Sequence, residues 1–205
     1  MYATVAARHG LHDIPVEALN RQFAAAWRNL STFDYTRSEW FNLVNQTFLG
    51  LTQTPLNEHL FSDLYRRFER AEAWRIFDDV LPTLKSLISV GLKLGIISNW
   101  DERLRPLLRD LNLDGYFRTI VISSEVGACK PSAKIFQQTA LALELPPGSI
   151  LHVGDSPTMD VGGAIASGFQ SLLLARDEIP KTGQLSTLLA LQTRSIMAAP
   201  PSPPE

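Results

Sequence analysis

The chain has 205 residues, enough for one large domain or a core with an insert at about 150 residues per domain. Hydrophobic residues at 45% and charged residues at 20% are ordinary globular values and exclude a disordered, collagen-like or coiled-coil chain. A net charge of −2 offers no basic field for a phosphate backbone, so small-molecule chemistry is expected and nucleic-acid binding is not. The single cysteine, Cys129, cannot form an internal disulfide, and the first residues lack the charged-then-apolar order of a secretory signal. A cytoplasmic location is expected. The uncharged run from Trp40 to Asn57 is interrupted by Asn, Gln and Thr and is too polar to span a membrane.

The first 75 residues read as successive helices with no period-2 stretch. Tyr2 to His9 predicts a short helix closed by Gly10. Pro15 and Glu17 open a second, with Val16, Leu19, Phe23, Ala26 and Leu30 at helical spacing. Ser38 to Leu49 predicts a third, stopped by Gly50. Leu56, Leu60, Leu64 and Phe68 form an i, i+4 stripe backed by charged residues, which predicts an amphipathic fourth. Together these make a helical bundle over residues 1–75.

After Trp74 the pattern alternates short aliphatic runs with helical segments, the grammar of βαβ units. Val80, Leu84, Leu87 and Ile88 predict a helix ended by Gly91, and Leu92 to Ser98 a buried strand. Leu104, Leu107, Leu108 and Leu111 line the next helix, followed by a strand over Thr119 to Ser123. A helix from Ala133 to Leu145 stops at Pro146-Pro147. A third strand spans Ser149 to Gly154, a helix Asp160 to Ser167, and a fourth strand Gln170 to Ala175. The expected fold class is α/β, a doubly wound parallel sheet over residues 76–190 behind the helical bundle. Residues 191–205, which include Pro200-Pro201-Ser202-Pro203-Pro204, are expected to form a disordered tail.

Doubly wound sheets place their ligands beyond the carboxyl ends of the strands, which narrows the search. The first strand ends at Ser98-Asn99, the second leads to Cys129-Lys130-Pro131, and the third ends at Gly154-Asp155 with Asp160 shortly after. A hydroxyl, an ammonium and two carboxylates on one rim suit a phosphoryl group and a divalent cation. Each has a bland explanation alone: Ser98 and Asp155 as helix caps, Lys130 as a solvated surface charge. Their occurrence at successive strand ends makes the coincidence hard to sustain.

These residues resemble the motifs of the haloacid dehalogenase-like hydrolases that carry a helical cap. The apolar strand before Ser98-Asn99 resembles the family's second motif, Lys130-Pro131 the third, and Gly154-Asp155 with Asp160 the fourth. Tyr2-Ala3 through Leu11 and Phe23 to Arg28 resemble its cap. The resemblance implies Mg²⁺-dependent hydrolysis of a small phosphorylated metabolite through an aspartyl-phosphate. Ser98 and the Asn99 backbone amide would hold the phosphoryl group, and Lys130 would neutralise it. Asp155 would ligate Mg²⁺, with Asp160 binding the ion or orienting its waters. Such a protein is expected as a monomer or weak homodimer.

The family's first motif, an apolar strand ending in the nucleophilic aspartate, has no counterpart here. The expectation is that it lies upstream of Met1, lost by truncation or a misplaced start, and that this chain alone is less stable and lacks turnover. Asp34 offers Asp-x-Thr, but no apolar strand precedes it. Asp79, in Asp79-Val80-Leu81-Pro82-Thr83-Leu84, fits the motif's spacing, but it opens a helix and lies too close to Ser98. Three rivals remain: a 2-haloacid dehalogenase working without metal, a non-catalytic phosphate-binding member, and a cysteine hydrolase built on Cys129 and His152. His152 sits within an apolar strand, where a satisfied core histidine is the default. Elbow, P-loop and dinucleotide-binding signatures are absent.

Overall fold

The structure is a computed structural model that describes residues 1–30, 33–52, 56–176 and 179–193. It divides into two compact units, residues 1–75 with 100–111, and residues 76–99 with 112–205. The Pro-rich run lies outside the described residues. Among the described residues no helix is long and apolar enough to cross a membrane.

The first unit contains helices α1 (Tyr2–Arg8), α2 (Val16–Arg28), α3 (Arg37–Phe48), α4 (Glu58–Arg67) and α6 (Leu104–Asp110). Gly10 and Gly50 end α1 and α3 at positive φ, 79° and 76°, a conformation that costs glycine nothing. The Thr36 and Asn57 side chains accept from Glu39 N–H and Leu60 N–H and so cap α3 and α4. Leu56, Leu60 and Leu64 are all buried, joined by Val5, Leu19, Val44, Phe48 and Phe61 in one core. Asp34 accepts a 2.8 Å hydrogen bond from Thr36 N–H, so its Asp-x-Thr pattern is a turn leading into α3.

Residues 100–111 group with these helices because Arg103 and Asp101 are buried against α4. Arg103 Nε and Nη2 donate to Asp101 at 2.8 and 2.6 Å, Arg103 Nη1 donates to the Tyr65 carbonyl at 2.9 Å, and Tyr65 Oη donates to Asp101 at 3.1 Å. A buried charge pair survives only when its remaining hydrogen-bonding capacity is met in this way.

The second unit holds α5 (Val80–Ser89), β1 (Gly95–Ser98), β2 (Thr119–Ile122), α7 (Ser123–Val126), α8 (Ala133–Leu143), β3 (Leu151–Gly154), α9 (Gly163–Ala166), β4 (Gln170–Leu174), β5 (Gln184–Leu185) and α10 (Ala190–Thr193). All strand pairs are parallel, with Gly95 opposite Thr119 and Leu151 opposite Gln170. The order is β1-β2 in one sheet and β3-β4-β5 in another. Helices α8 and α9 cover one core, in which Ile135, Phe136 and Ala164 are fully buried. Leu87 of α5 and Leu191 of α10 pack with Leu151, Leu172 and Leu185 in a second. Leu191 is therefore core, not the start of a disordered tail.

The sheet is interrupted between β1 and β3. Among the described residues β1 pairs only with β2 and β3 only with β4. The gap is a cavity of about 440 Å³ lined by Gly95, Ile96 and Ile97 on one side and Leu151 to Gly154 on the other. For this reason no residue of β1 or β3 is fully buried, against the expectation of a buried strand over Leu92 to Ser98.

Asp79 stands at the N-cap position of α5, makes no side-chain capping bond to it, and is a structural pin. One carboxylate oxygen accepts from Arg176 Nη1, Thr187 Oγ1 and Leu188 N–H, each at 2.8 Å. Burial pushes its pKa up, but these bonds outweigh burial and hold it down at about 2. A depressed carboxylate stabilises above its unfolded pKa and loses that contribution as pH falls through the folded value. Asp79→Asn is expected to cost about 2 kcal/mol at pH 7. Melting curves should show the gap between wild type and variant closing as pH drops from about 4 towards 2.

Candidate active site

Three loops at the carboxyl ends of β1, β2 and β3 supply the polar residues. Asn99 follows β1, and its side chain clamps the backbone of Lys130. Asn99 Oδ1 accepts from Lys130 N–H at 2.6 Å and Nδ2 donates to the Lys130 carbonyl at 3.1 Å. Both backbone groups of Lys130 are thereby satisfied, which fixes where its side chain starts. The sequence pattern points to Asn99 as a backbone donor; the structure adds this side-chain clamp.

Lys130 Nζ meets Asp160 Oδ1 at 2.6 Å, with side chains 14% and 4% exposed. His152 Nε2 lies 2.9 Å from the same oxygen, and Ser156 N–H donates to Oδ2 at 3.0 Å. Burial pushes the Asp160 carboxyl up, but bonding from His152, Lys130 and Ser156 outweighs it and holds the group well below the usual carboxylate range. Asp160 is thus a fixed anion at neutral pH. His152, edge-on to Phe136 at 5.4 Å, is a satisfied core histidine, and its partner is the site itself.

The local fold explains how Asp160 reaches this position. Residues Pro157–Gly162 form a π-helical turn opened by Ser156, whose carbonyl accepts from both Asp160 N–H and Val161 N–H at 3.0 and 3.1 Å. Such widened turns recur at functional sites. The carboxylate folds back over Gly154, where an added Cβ would lie 2.2 Å from Asp160 Cγ. At Gly163 a Cβ would come within 2.9 Å of Pro131 Cα, beside Lys130. These glycines are demanded by close approach; a spacing signal, Gly directly before Asp at a strand end, was visible for the first.

Ser98 ends β1, and Asp155, exposed, follows β3. Neither side chain has a hydrogen bond among the described residues. Asp155, Lys130, His152 and Asp160 all line the cavity between β1 and β3. The structure thus brings Asn99, Lys130 and Asp160 into one bonded node, with Asp155 on the rim of the same cavity. Among the described residues no three His, Cys, Asp or Glu side chains converge as a ready metal cage. An ion that keeps most of its waters needs only one or two carboxylates. Asp155 fits that need, whereas both oxygens of Asp160 are already engaged.

Comparison with known proteins bears on these features. The family model for haloacid dehalogenase-like hydrolase matches residues 3–168. The chain is 33% identical over 192 residues to haloacid dehalogenase-like hydrolase domain-containing protein 3 of Danio rerio, covering 88% of this chain and 79% of that one. Among solved structures it resembles a HAD phosphatase from Thermococcus onnurineus, with TM-score 0.68, 25% identity and coverage of 96% and 86%. It shares its fold with the HAD-hydrolase YfnB from Bacillus subtilis bound to magnesium, at TM-score 0.75, 21% identity and coverage of 92% and 86%. A parallel α/β core, a helical unit at the amino end and this match across most of the length agree: the chain belongs to the haloacid dehalogenase-like hydrolases.

Proposed function

We propose that the chain is a phosphomonoester hydrolase acting on a small phosphorylated metabolite with Mg²⁺. The observation that carries the reading is the Lys130–Asp160 pair, held at 2.6 Å on the rim of a cavity that Asp155 also lines. The phosphatase named among the similar structures supports it. Lys130, positioned by Asn99 and Asp160, would neutralise phosphoryl oxygens, and Ser98 would donate a hydrogen bond to them. Asp155 would hold Mg²⁺, with Asp160 binding the ion through the lone pair Oδ2 keeps beside its bond from Ser156, or orienting its waters. When bound, the ion supplies charge neutralisation at the phosphoryl group.

The reaction also needs a carboxylate to attack phosphorus, expel the substrate oxygen and yield an acyl phosphate that water hydrolyses. Asp160 is pinned and Asp155 is assigned to the ion. In this reading the nucleophile therefore arrives on a segment occupying the gap between β1 and β3. The same reading takes the protein as cytoplasmic and as a monomer or weak homodimer.

Titrating inorganic phosphate with Mg²⁺ into the chain is expected to give saturable heat, with Lys130→Met weakening binding at least about tenfold. A form with the gap filled by an aspartate-ended strand should cleave 4-nitrophenyl phosphate and stop on chelation. No phosphate binding together with no turnover would sink the reading. The rival reading, a metal-free 2-haloacid dehalogenase, would instead release halide in the presence of chelator.

A further inference from the structure

The helical unit contains a second cavity, of about 240 Å³, walled by Tyr2, Phe23, Trp40, Phe61 and Trp74 and backed by Val44. We infer that it binds a small, neutral, bicyclic aromatic molecule, an assignment that goes beyond hydrolysis and rests on the cavity alone.

Size comes first. An apolar cavity of about 150 Å³ is enough to hold benzene and stays dry, so 240 Å³ suits a larger ring system. Chemistry comes next. The wall is built of π faces and aliphatic edges, which prefer offset or edge-on contact with another ring. Its rings already pack among themselves, Tyr2 tilted on Phe23 at 5.9 Å and Phe68 edge-on to Trp74 at 6.0 Å. They are held as rigid surfaces, which lowers the entropy lost on binding.

Charge is the third constraint. The cationic side chain at this wall, Arg103, is spent: Asp101 takes its Nε and Nη2, Tyr65 takes Nη1 through its carbonyl, and the guanidinium carbon sits 3.3 Å from the Tyr65 ring centroid. Trp74 Nε1 donates to the Phe68 carbonyl at 3.0 Å. An anionic ligand would find no free counter-charge there and would leave water at a cost. Burial pushes the Tyr2 phenol up to about 12, against the opposing pull of Arg103, which agrees with a poorly hydrated wall. Trp40 Nε1 is buried out of reach of solvent, with no acceptor among the described residues, so it offers the cavity no donor.

The test is calorimetric titration of 1-naphthol into the full 205-residue chain, with 1-naphthyl phosphate titrated without Mg²⁺ as the charged comparison. Saturable one-to-one binding of naphthol, tighter than that of the phosphate, is expected. Val44→Phe, which fills the cavity, should cut affinity at least about tenfold. Trp40→Leu, which removes one ring of the wall, should cut it about three- to tenfold. Thermal melts of both variants show whether they fold. Absence of saturable naphthol binding to wild type, tighter binding of the phosphate, or unchanged affinity in a folded Val44→Phe variant would each overturn the assignment.

Discussion

Gly154→Ala is expected to destabilise the protein by about 3–5 kcal/mol, the range for prising apart a buried ion pair, and to lower its melting temperature by roughly 10 °C. Gly154 is not at positive φ, so backbone strain contributes nothing and the whole effect is steric. The new methyl would fall 2.2 Å from Asp160 Cγ, 2.5 Å from its Cβ and 2.6 Å from Oδ2. No side-chain rotation relieves three such contacts while Lys130, His152 and Ser156 N–H hold the carboxylate. The pinned anion must move, and its three bonds go with it. Gly115→Ala and Gly148→Ala, where a Cβ meets nothing within 4 Å, should melt within about 1 °C of wild type apart from small propensity effects.

A double-mutant cycle separates this cause from a general loss of strand quality. In an Asp160→Gly background, which removes the Cβ as well as the carboxylate, the methyl at position 154 meets none of the three atoms. Gly154→Ala should then cost under about 1 kcal/mol, a strong non-additivity characteristic of residues in contact. Additive costs in the two backgrounds would show that Gly154 serves something other than the approach of Asp160. The same variant should lose phosphate binding along with Lys130→Met, because Lys130 is positioned through Asp160.

Which parts of this node could be read from residues in order follows from the physics. Ser98, Lys130, Asp155 and Asp160 stand out because a parallel sheet delivers its strand ends to one rim, so type and order suffice. The clamp by Asn99 on the Lys130 backbone does not stand out, since it links residues 31 apart through a loop whose path no periodicity encodes. His152 looked like any histidine in an apolar strand. It is one, and only the returning π-helical turn shows that Asp160 is what satisfies it. Helical spacing likewise announces α6 but not its partner: the buried bonds from Asp101 and Arg103 to Tyr65 put it with the amino-terminal helices. Strand limits shift for a related reason. Leu92 and Leu94 are apolar like β1, yet the ladder is set by the four residues that β2 offers, Thr119 to Ile122.

The gap between β1 and β3 leads to the other large effect. Appending an apolar strand to the amino terminus through a flexible Gly/Ser linker is expected to raise the melting temperature by about 10 °C or more. Two parallel strands each present a row of backbone N–H and C=O groups along a cavity of about 440 Å³, and such edges accept an added strand. A five-residue insert would bury on the order of 500 Å² of apolar surface, worth about 12 kcal/mol, against about 8 kcal/mol to order it. Hydrogen bonds to both edges add a few more, at about 1 kcal/mol each, for a net gain of about 5 kcal/mol or more. The pattern of the insert matters as much as its length. A central parallel strand is buried on both faces, so a continuous Val/Ile run should work where an alternating polar one fails. A proline in the middle removes a donor that the ladder needs, so the Pro-interrupted insert is the control with matched length and linker. Equal melting temperatures for the Val/Ile and Pro-interrupted forms would mean that the gap does not take a strand. A rise confined to the apolar form, with amides of β1 and β3 newly protected from hydrogen exchange, would locate the insert between them. Once ended by an aspartate, that insert would also supply the carboxylate the proposed hydrolysis requires, so stability and turnover should appear together in one variant and separate when the aspartate is replaced by asparagine.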